Sequence, residues 1–240
     1  MPAGAVAALI GSAAVLTGCG GDDRDAALPA VTTVAAPAAP ADAPTLDPAR
    51  LPAALLTVAD LPAGFAALPD PVTDLGLPPA SEDPQPDRSS TDPRECAAVL
   101  APIADQVPGA AAHAAARFAG PAFTSVDTDA ASYSGTGAAQ AFGTVQATFA
   151  ACAEYAGTDA DGVAVQYRLG GLDQPTVGDA SVAVRLETSS DGFTMISDTV
   201  LAVVGGTLVQ VTATGQQPIE PSVLTDLART AVERLRTPQP

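Results

Sequence analysis

Apolar side chains recur at every second position in two stretches of the second half of the chain, and two further strand-like stretches follow them. In the first stretch, after Gly162, residues Val163, Val165 and Tyr167 alternate with polar or small residues, and this spacing predicts a half-buried strand. Gly205 and Gly206 separate the last two stretches and suit a tight hairpin turn. Short connections between successive strands predict an antiparallel meander. The four predicted strands are 163–169, 182–186, 193–204 and 207–214.

Other segments repeat their apolar residues every three or four positions, which predicts helices. The clearest face consists of Phe142, Val145, Phe149 and Cys152. The predicted helices are 47–58, entered through Asp47 and Pro48, 95–106, which Pro102 kinks or ends early, 136–155 and 221–236.

Between these elements we predict a turn at 60–65, a long exposed loop at 68–93 and a strand at 123–133. The fold class that follows is α+β: an antiparallel meander with helices packed on one face. The opposite face is solvated or lines a cleft.

The amino terminus carries a run of small apolar residues at 3–17, which ends in Leu16 and Thr17 and leads into Gly18 and Cys19. This ending resembles the bacterial lipobox, in which the cysteine receives diacylglycerol and becomes the mature amino terminus. The alternative is an ordinary thiol after an apolar segment. We therefore expect a signal peptide at 1–18 and lipidation of Cys19.

An Ala- and Pro-rich stretch follows the cysteine, and we interpret 19–46 as a tether and 47–237 as the folded domain. Fully extended, the tether would reach about 80 Å. The expected location is the extracytoplasmic side of the cell membrane. Signal peptides open with basic residues and none precedes Arg24, so we expect a basic stretch upstream of Met1.

Export places the remaining cysteines, Cys96 and Cys152, in an oxidising compartment, where two remaining thiols usually pair. Each lies on the apolar side of its predicted helix. Neither is part of a Cys-x-x-Cys pair, as a redox role would require. We predict a structural disulfide that clamps the two helices together.

Charge and composition narrow the classes of function that this chain can have. Ten basic residues, all arginine, face 27 acidic residues, and the formal charge of −17 repels nucleic acids. Tryptophan is absent and His113 is the single histidine, so metal centres and acid–base dyads lack their usual side chains. We expect no enzyme activity, no cofactor and no metal.

Three weak motifs have simpler structural interpretations. The segment 159–162, Asp-Ala-Asp-Gly, lacks the remaining ligands of a calcium loop and is expected to be a turn before a strand. His113 has no second ligand nearby and is expected to be a lone imidazole. Gly135 and Gly137 lack a third glycine and are expected to open a helix.

Arg168 and Arg185 are the basic residues that we place on the predicted meander. They are our candidates for contact with an anionic ligand in a cleft. The alternative, which we favour, is that they lie on the wet face of the sheet and pair with acids such as Glu187.

One arrangement of motifs resembles a known family. It comprises the 60–65 sequence Asp-Leu-Pro-Ala-Gly-Phe, a proline-rich loop, Cys96 after Pro93, Cys152 after Phe149, a meander and an amphipathic terminal helix. This order resembles the extracellular sensor domain of the mycobacterial serine/threonine kinase PknH, a domain that actinobacteria also use in lipoproteins. The resemblance implies an α+β module with a deep cleft, usually clamped by two disulfides, that binds an extracellular ligand.

These observations favour a surface lipoprotein with a non-catalytic, sensor-like domain that binds a small-molecule, lipid or envelope ligand and signals through a protein partner. An envelope lipid or glycolipid carrier is the first alternative, and it predicts a roomy apolar pocket between sheet and helices. A structural protein that binds partners through the 68–93 loop is the second.

Overall fold

The computed structural model describes residues 27–37, 45–68 and 87–237. The described chain forms one open antiparallel sheet with the order β1-β3-β4-β9-β8-β7-β6-β5-β2. Its strands are β1 Ala66–Leu68, β2 Ser90–Asp92, β3 Ala112–Ala119, β4 Ser125–Ser132, β5 Glu154–Thr158, β6 Ala164–Gly171, β7 Ala180–Ser190, β8 Phe193–Val204 and β9 Thr207–Gly215. Its α-helices are α1 Ile103–Gln106, α2 Gly137–Ala151 and α3 Pro221–Arg236.

The meander predicted from the alternating pattern is confirmed, because β6, β7, β8 and β9 are neighbours in sequence and in the sheet. Gly205 begins the tight β8–β9 turn with a φ of 56°, a conformation that glycine adopts without strain. The α+β class is confirmed as well. The strand expected at 123–133 is β4, and the closing helix expected at 221–236 is α3.

The helices, however, lie on both faces of the sheet, whereas the pattern led us to expect them on one. Helix α3 packs on Val200 and Ala202 of β8, while α2 packs on the opposite face, against Leu201 and Val203. The alternation of the strand sends neighbouring residues to opposite faces. The centre of the sheet is therefore buried on both sides, as the unbroken apolar run of β8 requires.

Several short elements also differ from the prediction. The 47–58 segment forms 3-10 helices at Leu51–Ala54 and Val58–Asp60, and Val58 is exposed rather than part of the apolar face. The 95–106 segment is a 3-10 helix at Arg94–Ala98 followed by α1. Between them Leu100 has a φ of 58°, and Pro102, which lacks an N–H, cannot continue the earlier turn.

The predicted loop 68–93 begins in β1 and ends with β2, which pairs with β5; its centre lies outside the described residues. The predicted helix 136–155 ends at Ala151, and the following residues form β5. Strand β3 was not predicted, because its alanine-rich sequence has no apolar period.

The predicted disulfide is present. Cys96 and Cys152 are bonded with their Cα atoms 5.7 Å apart, and both side chains are buried in the core cluster under α2. The bridge joins the end of α2 to the 3-10 helix at Arg94–Ala98. It therefore clamps this layer of short helices onto one face of the sheet.

Candidate functional site

A cleft with a volume of about 640 Å3 lies on the face of the sheet that carries α3. The strand register shows which face this is. Glu187 of β7 pairs with Ile196 of β8. Ile196 lies on the same side of β8 as Val200, which packs beneath α3. We call this site the polar cleft. Its lining residues are Gln166, Arg168, Glu187, Ser189, Gly192, Phe193, Thr194, Ile196, Gln216 and Gln217.

An ion pair crosses the floor of the polar cleft. Arg168 of β6 and Glu187 of β7 are directly opposed in the register, and both the Nε and the Nη2 atoms of Arg168 donate to Oε2 of Glu187. The pairing with Glu187 that we favoured for Arg168 is confirmed. Because the two opposite charges neutralise one another, the cleft presents a dipolar floor rather than an isolated cation.

Neutral polar groups surround this pair. The hydroxyls of Ser189 and Thr194 share a hydrogen bond of 3.0 Å across the β7–β8 hairpin. The side chain of Gln166 is exposed on the neighbouring strand, and Gln216 and Gln217 line the opposite wall. The cleft thus offers amide and hydroxyl groups that both donate and accept hydrogen bonds.

The β7–β8 hairpin places an aromatic ring at the rim of the polar cleft. Asp191 and Gly192 have φ angles of 47° and 80°, which form the tight turn favoured by an Asp-Gly pair. The next residue, Phe193, is 70% exposed. An exposed phenyl ring beside amides and hydroxyls gives the rim a flat apolar surface.

Arg185, the second candidate from the sequence, lies on the same face as Arg168 but does not line the polar cleft. Its Nε and Nη2 atoms donate to the two carboxylate oxygens of Asp198, at 2.6 and 2.8 Å. These hydrogen bonds raise the pKa of the Arg185 guanidinium. The Asp198 side chain is only 2% exposed, so this pair holds β7 to β8 from within the sheet.

An apolar groove of about 370 Å3 adjoins the polar cleft and shares Gln216 and Gln217 with it. It lies between the end of the sheet, at Val126 and Ala213, and the start of α3 at Val223. Phe65 and Ile219 also line this apolar groove. The polar cleft and the apolar groove therefore form one continuous, amphipathic surface.

A second exposed phenylalanine follows Ala122, a residue that lines the apolar groove. Phe123 is 88% exposed, and both it and Ala122 have left-handed backbones, with φ of 59° and 53°. Residues other than glycine adopt this conformation at an energetic cost. Phe123 itself lines neither the polar cleft nor the apolar groove, whereas Phe193 lines the polar cleft.

The opposite face of the sheet carries a smaller cleft of about 350 Å3, which we call the acidic cleft; Asp127, Asp129, Gln210 and Thr212 line it. The carboxylate of Asp129 accepts hydrogen bonds from the Ile103 N–H at 2.7 Å and from Nε2 of Gln210 at 3.2 Å. Burial raises the pKa of Asp129 to about 7, and the charge of Asp127 adds to the rise. Asp129 was not singled out in the sequence, because an aspartate within a strand looks solvent-exposed.

The minor motifs have the positions that we predicted. Oδ1 of Asp159 accepts hydrogen bonds from the N–H groups of Asp161 and Val163, which forms a turn before β6. His113 is exposed on β3. Gly135 has a φ of 55° immediately before α2, which begins at Gly137.

Two features of the sequence concern membranes and metals. Cys19 and the apolar run before it lie outside the described residues, so lipidation stays a prediction. Within 27–37, 45–68 and 87–237, no helix is long and apolar enough to cross a membrane. In the same ranges, no three His, Cys, Asp or Glu side chains are grouped to hold a metal ion.

Two solved structures are similar to this chain. The extracellular domain of PknH from Mycobacterium tuberculosis matches with a TM-score of 0.59 at 16% identity, over 81% of this chain and 98% of that domain. A putative uncharacterized protein from Mycobacterium smegmatis, the Rv0999 ortholog, matches with a TM-score of 0.39 at 16% identity, over 75% of this chain and 93% of that one. No protein-family model and no curated protein matches the chain. The match to the PknH extracellular domain confirms the fold that the resemblance implied.

Proposed function

We propose that this chain is an exported, lipid-anchored surface protein whose domain binds a polar, hydroxyl-rich ligand without chemical conversion. The observation that carries the proposal is the polar cleft, with its internally neutralised floor, its amides and hydroxyls, and the exposed ring of Phe193. The fold shared with an extracellular kinase domain and the buried disulfide support an extracytoplasmic location.

The chemistry of the lining favours a neutral, hydroxyl-rich ligand such as a saccharide. A ligand with a net charge would have to compete with the Arg168–Glu187 pair, which costs free energy. Hydroxyl groups, by contrast, exchange hydrogen bonds with Gln166, Ser189 and the amides of the opposite wall without disturbing that pair. The apolar C–H face of a sugar ring would pack on Phe193.

In this proposal Arg168 orients the ligand as part of the ion pair, and Arg185 stays a structural residue. The Nε and Nη2 atoms of Arg185 both donate to Asp198. Arg185 does not line the polar cleft. A signal would pass to a protein partner, as we expected from the sequence.

A second candidate function is favoured by the apolar groove. Its position between the sheet and α3 and its apolar walls agree with the pocket that a lipid or glycolipid carrier requires. In that case an acyl chain would lie along Phe65 and Ile219, and a headgroup would reach the polar cleft across Gln216 and Gln217.

The test is a titration of the isotope-labelled chain with soluble probes, followed by NMR. Neutral tetrasaccharides of glucose, mannose and N-acetylglucosamine are the polar probes, and lauric acid is the apolar probe. We expect one of the tetrasaccharides to shift the side-chain amides of Gln166 and Gln216. A response to lauric acid alone, at the methyl groups of Ile219 and Ala213, would replace the proposal with the carrier function.

A matched pair of variants makes the titration specific. We expect Phe193→Ala to weaken tetrasaccharide binding at least tenfold, because the ring that packs on the sugar is lost. Phe123→Ala removes another exposed ring, one that does not line the polar cleft, and should leave this binding unchanged. Equal losses in the two variants, or no shift with any tetrasaccharide, would contradict the saccharide proposal.

A further inference from the structure

Residues 27–37 belong to the stretch that we expected to be a tether, yet they lie on the folded domain. We call this segment the strap. It runs along the open end of β6 and then over α2, where Leu28, Val31 and Ala36 are half-buried. Val31 and Ala36 pack against the core cluster under α2.

The first contact of the strap completes the edge of the sheet. Strand β5 pairs with β6 only as far as Arg168, so the end of β6 is open on that side. There the Gly171 N–H donates a 2.7 Å hydrogen bond to the carbonyl oxygen of Pro29. The unpaired backbone groups at the end of a strand can pair with an extended peptide, and the strap fills this role here.

Two adjacent glycines make this close approach possible. A methyl group on Gly170 would overlap the Cβ of Leu28 and lie 2.7 Å from the carbonyl oxygen of Pro29. A methyl group on Gly171 would lie 2.8 Å from the carbonyl oxygen of Ala30. Side chains at either position would push the strap away, so the Gly-Gly pair acts as a floor for the peptide backbone.

The second contact is a paired hydrogen bond from a buried glutamine. Oε1 of Gln146 accepts from the Val34 N–H at 2.6 Å, and Nε2 of Gln146 donates to the Val34 carbonyl oxygen at 3.0 Å. Gln146 is only 3% exposed on α2. A side-chain amide that satisfies both backbone groups of one residue recognises an extended peptide whatever its side chain.

The strap is nevertheless held by few buried groups. Most of its side chains are exposed, and a space of about 260 Å3 remains between residues 27–31 and the walls formed by α2 and β6. Segments with few buried contacts open at a small fraction of the free energy of global unfolding. The strap can therefore leave while the domain stays folded.

We propose that the surface formed by α2 and the open end of β6 is a peptide-binding groove, and that the strap is its reversibly docked occupant. Docking shortens the chain that links the domain to Cys19. Seven residues lie between Cys19 and Ala27, and the eight steps from Cα to Cα span at most about 28 Å. With the strap released, the linker regains a reach of about 80 Å, so the groove controls the distance between the ligand-binding domain and its anchor.

The first experiment measures amide hydrogen exchange in the chain from residue 20 onward. We expect the Val34 and Gly171 amides to be protected in the wild type. Gln146→Ala should lower the protection of Val34 at least tenfold, whereas Gln140→Ala, on the exposed side of the same helix, should not. Exchange of Val34 at the rate of an unstructured peptide in the wild type would overturn the proposal.

A second pair of variants does not alter a core side chain. Gly170→Val should release the strap, while Gly143→Ala on α2, where an added Cβ meets no atom within 4 Å, should keep it docked. Protection of β8 amides reports whether each variant is folded. Strap protection that is the same in Gly170→Val and in Gly143→Ala would contradict the role of the glycines.

The groove itself is tested with a labelled peptide of sequence 27–37. The host is the same chain with residues 27–37 replaced by a Gly/Ser segment of equal length. We expect saturable binding to this host and at least tenfold weaker binding to the wild type, because the tethered strap competes at millimolar effective concentration. No binding to the host, or equal binding to both, would overturn the proposal. Dimers that form when the peptide is added would also overturn it, because they would assign the groove to a second copy of the chain.

Discussion

At the scale of single residues, Asp129 is the most unusual group in the described chain. It is a half-buried carboxyl between α1, β4 and β9, and hydrogen bonds from the Ile103 N–H and from Gln210 hold it in place. Gln210 also donates to the carbonyl oxygens of Leu100 and Ala101. This network fixes the irregular segment before α1 against the sheet, which local helix propensity would not do.

The position of Asp129 predicts a pH-dependent stability. Its folded pKa of about 7 lies above the unfolded value of 3.8, so its stabilising contribution is complete below pH 4 and is lost as the pH rises through 7. The shift corresponds to a loss on the order of 4 kcal/mol. We expect urea unfolding between pH 4 and 7.5 to show this fall in the wild type and a flatter profile in Asp129→Asn.

The control for this prediction is Asp226→Asn on the exposed side of α3. Asp60 has the opposite behaviour, because hydrogen bonds from Arg234 and Thr57 outweigh its burial and lower its pKa. The contribution of the ionised Asp60 carboxylate to folding stability is therefore lost only as the pH falls through this lowered pKa. Identical slopes for Asp129→Asn and Asp226→Asn between pH 4 and 7 would show that Asp129 does not cause the dependence.

At the scale of elements, the disulfide holds a layer of weak helices. The 3-10 helix at Arg94–Ala98 has five residues and α1 has four, too few to be stable alone. The disulfide between Cys96 and Cys152 at the end of α2 holds them on the sheet, together with the hydrogen bonds of Asp129 and Gln210. The chain-entropy model gives about 4 kcal/mol for a loop of this length.

We therefore expect the double variant Cys96→Ser with Cys152→Ser to lose about 4 kcal/mol in urea unfolding. Reduction of the wild type before unfolding should give the same loss. Reduction of the double variant should have no effect, and this serves as the control. A loss below about 1 kcal/mol in the double variant would mean that packing alone holds the short helices.

Some helices and strands could be predicted from their sequences, and others could not. Strands β6 and β7 and helix α3 were predicted because their apolar residues recur with the period of a strand or a helix, and strands β8 and β9 because glycine turns bound long runs rich in apolar and β-branched residues. Strand β3 was missed because alanine fits either state. Strand β5 was absorbed into the predicted helix, since no glycine or proline separates Ala151 from Glu154.

At the scale of the whole molecule, the anchor, the strap and the clefts form one arrangement. The expected anchor at Cys19 precedes the strap, and the strap ends on the domain that carries the polar cleft. If two acyl chains hold Cys19 in the membrane, release of the strap changes the height of the cleft above the bilayer. Ligand access and tether length would then be set at separate sites.

The anchor predicts a simple labelling result. In cells that export the chain and are fed an alkyne analogue of palmitate, we expect label on the wild type and none on Cys19→Ser, with the variant lost from the membrane fraction. The double variant that lacks the disulfide should keep its label. Label that persists in Cys19→Ser would contradict lipidation at this position.

By itself, the sequence determined the meander, the closing helix, the disulfide partners and the resemblance that the shared fold confirms. Each of these depends on local spacing or on how few cysteines are available to pair. Tertiary structure decided the placement of α2 and α3 on opposite faces, the pairing of Arg185 with Asp198, the clefts and the docking of the strap. These features depend on contacts between residues far apart in the chain, such as Val34 with Gln146, and a local pattern of apolar spacing does not record them.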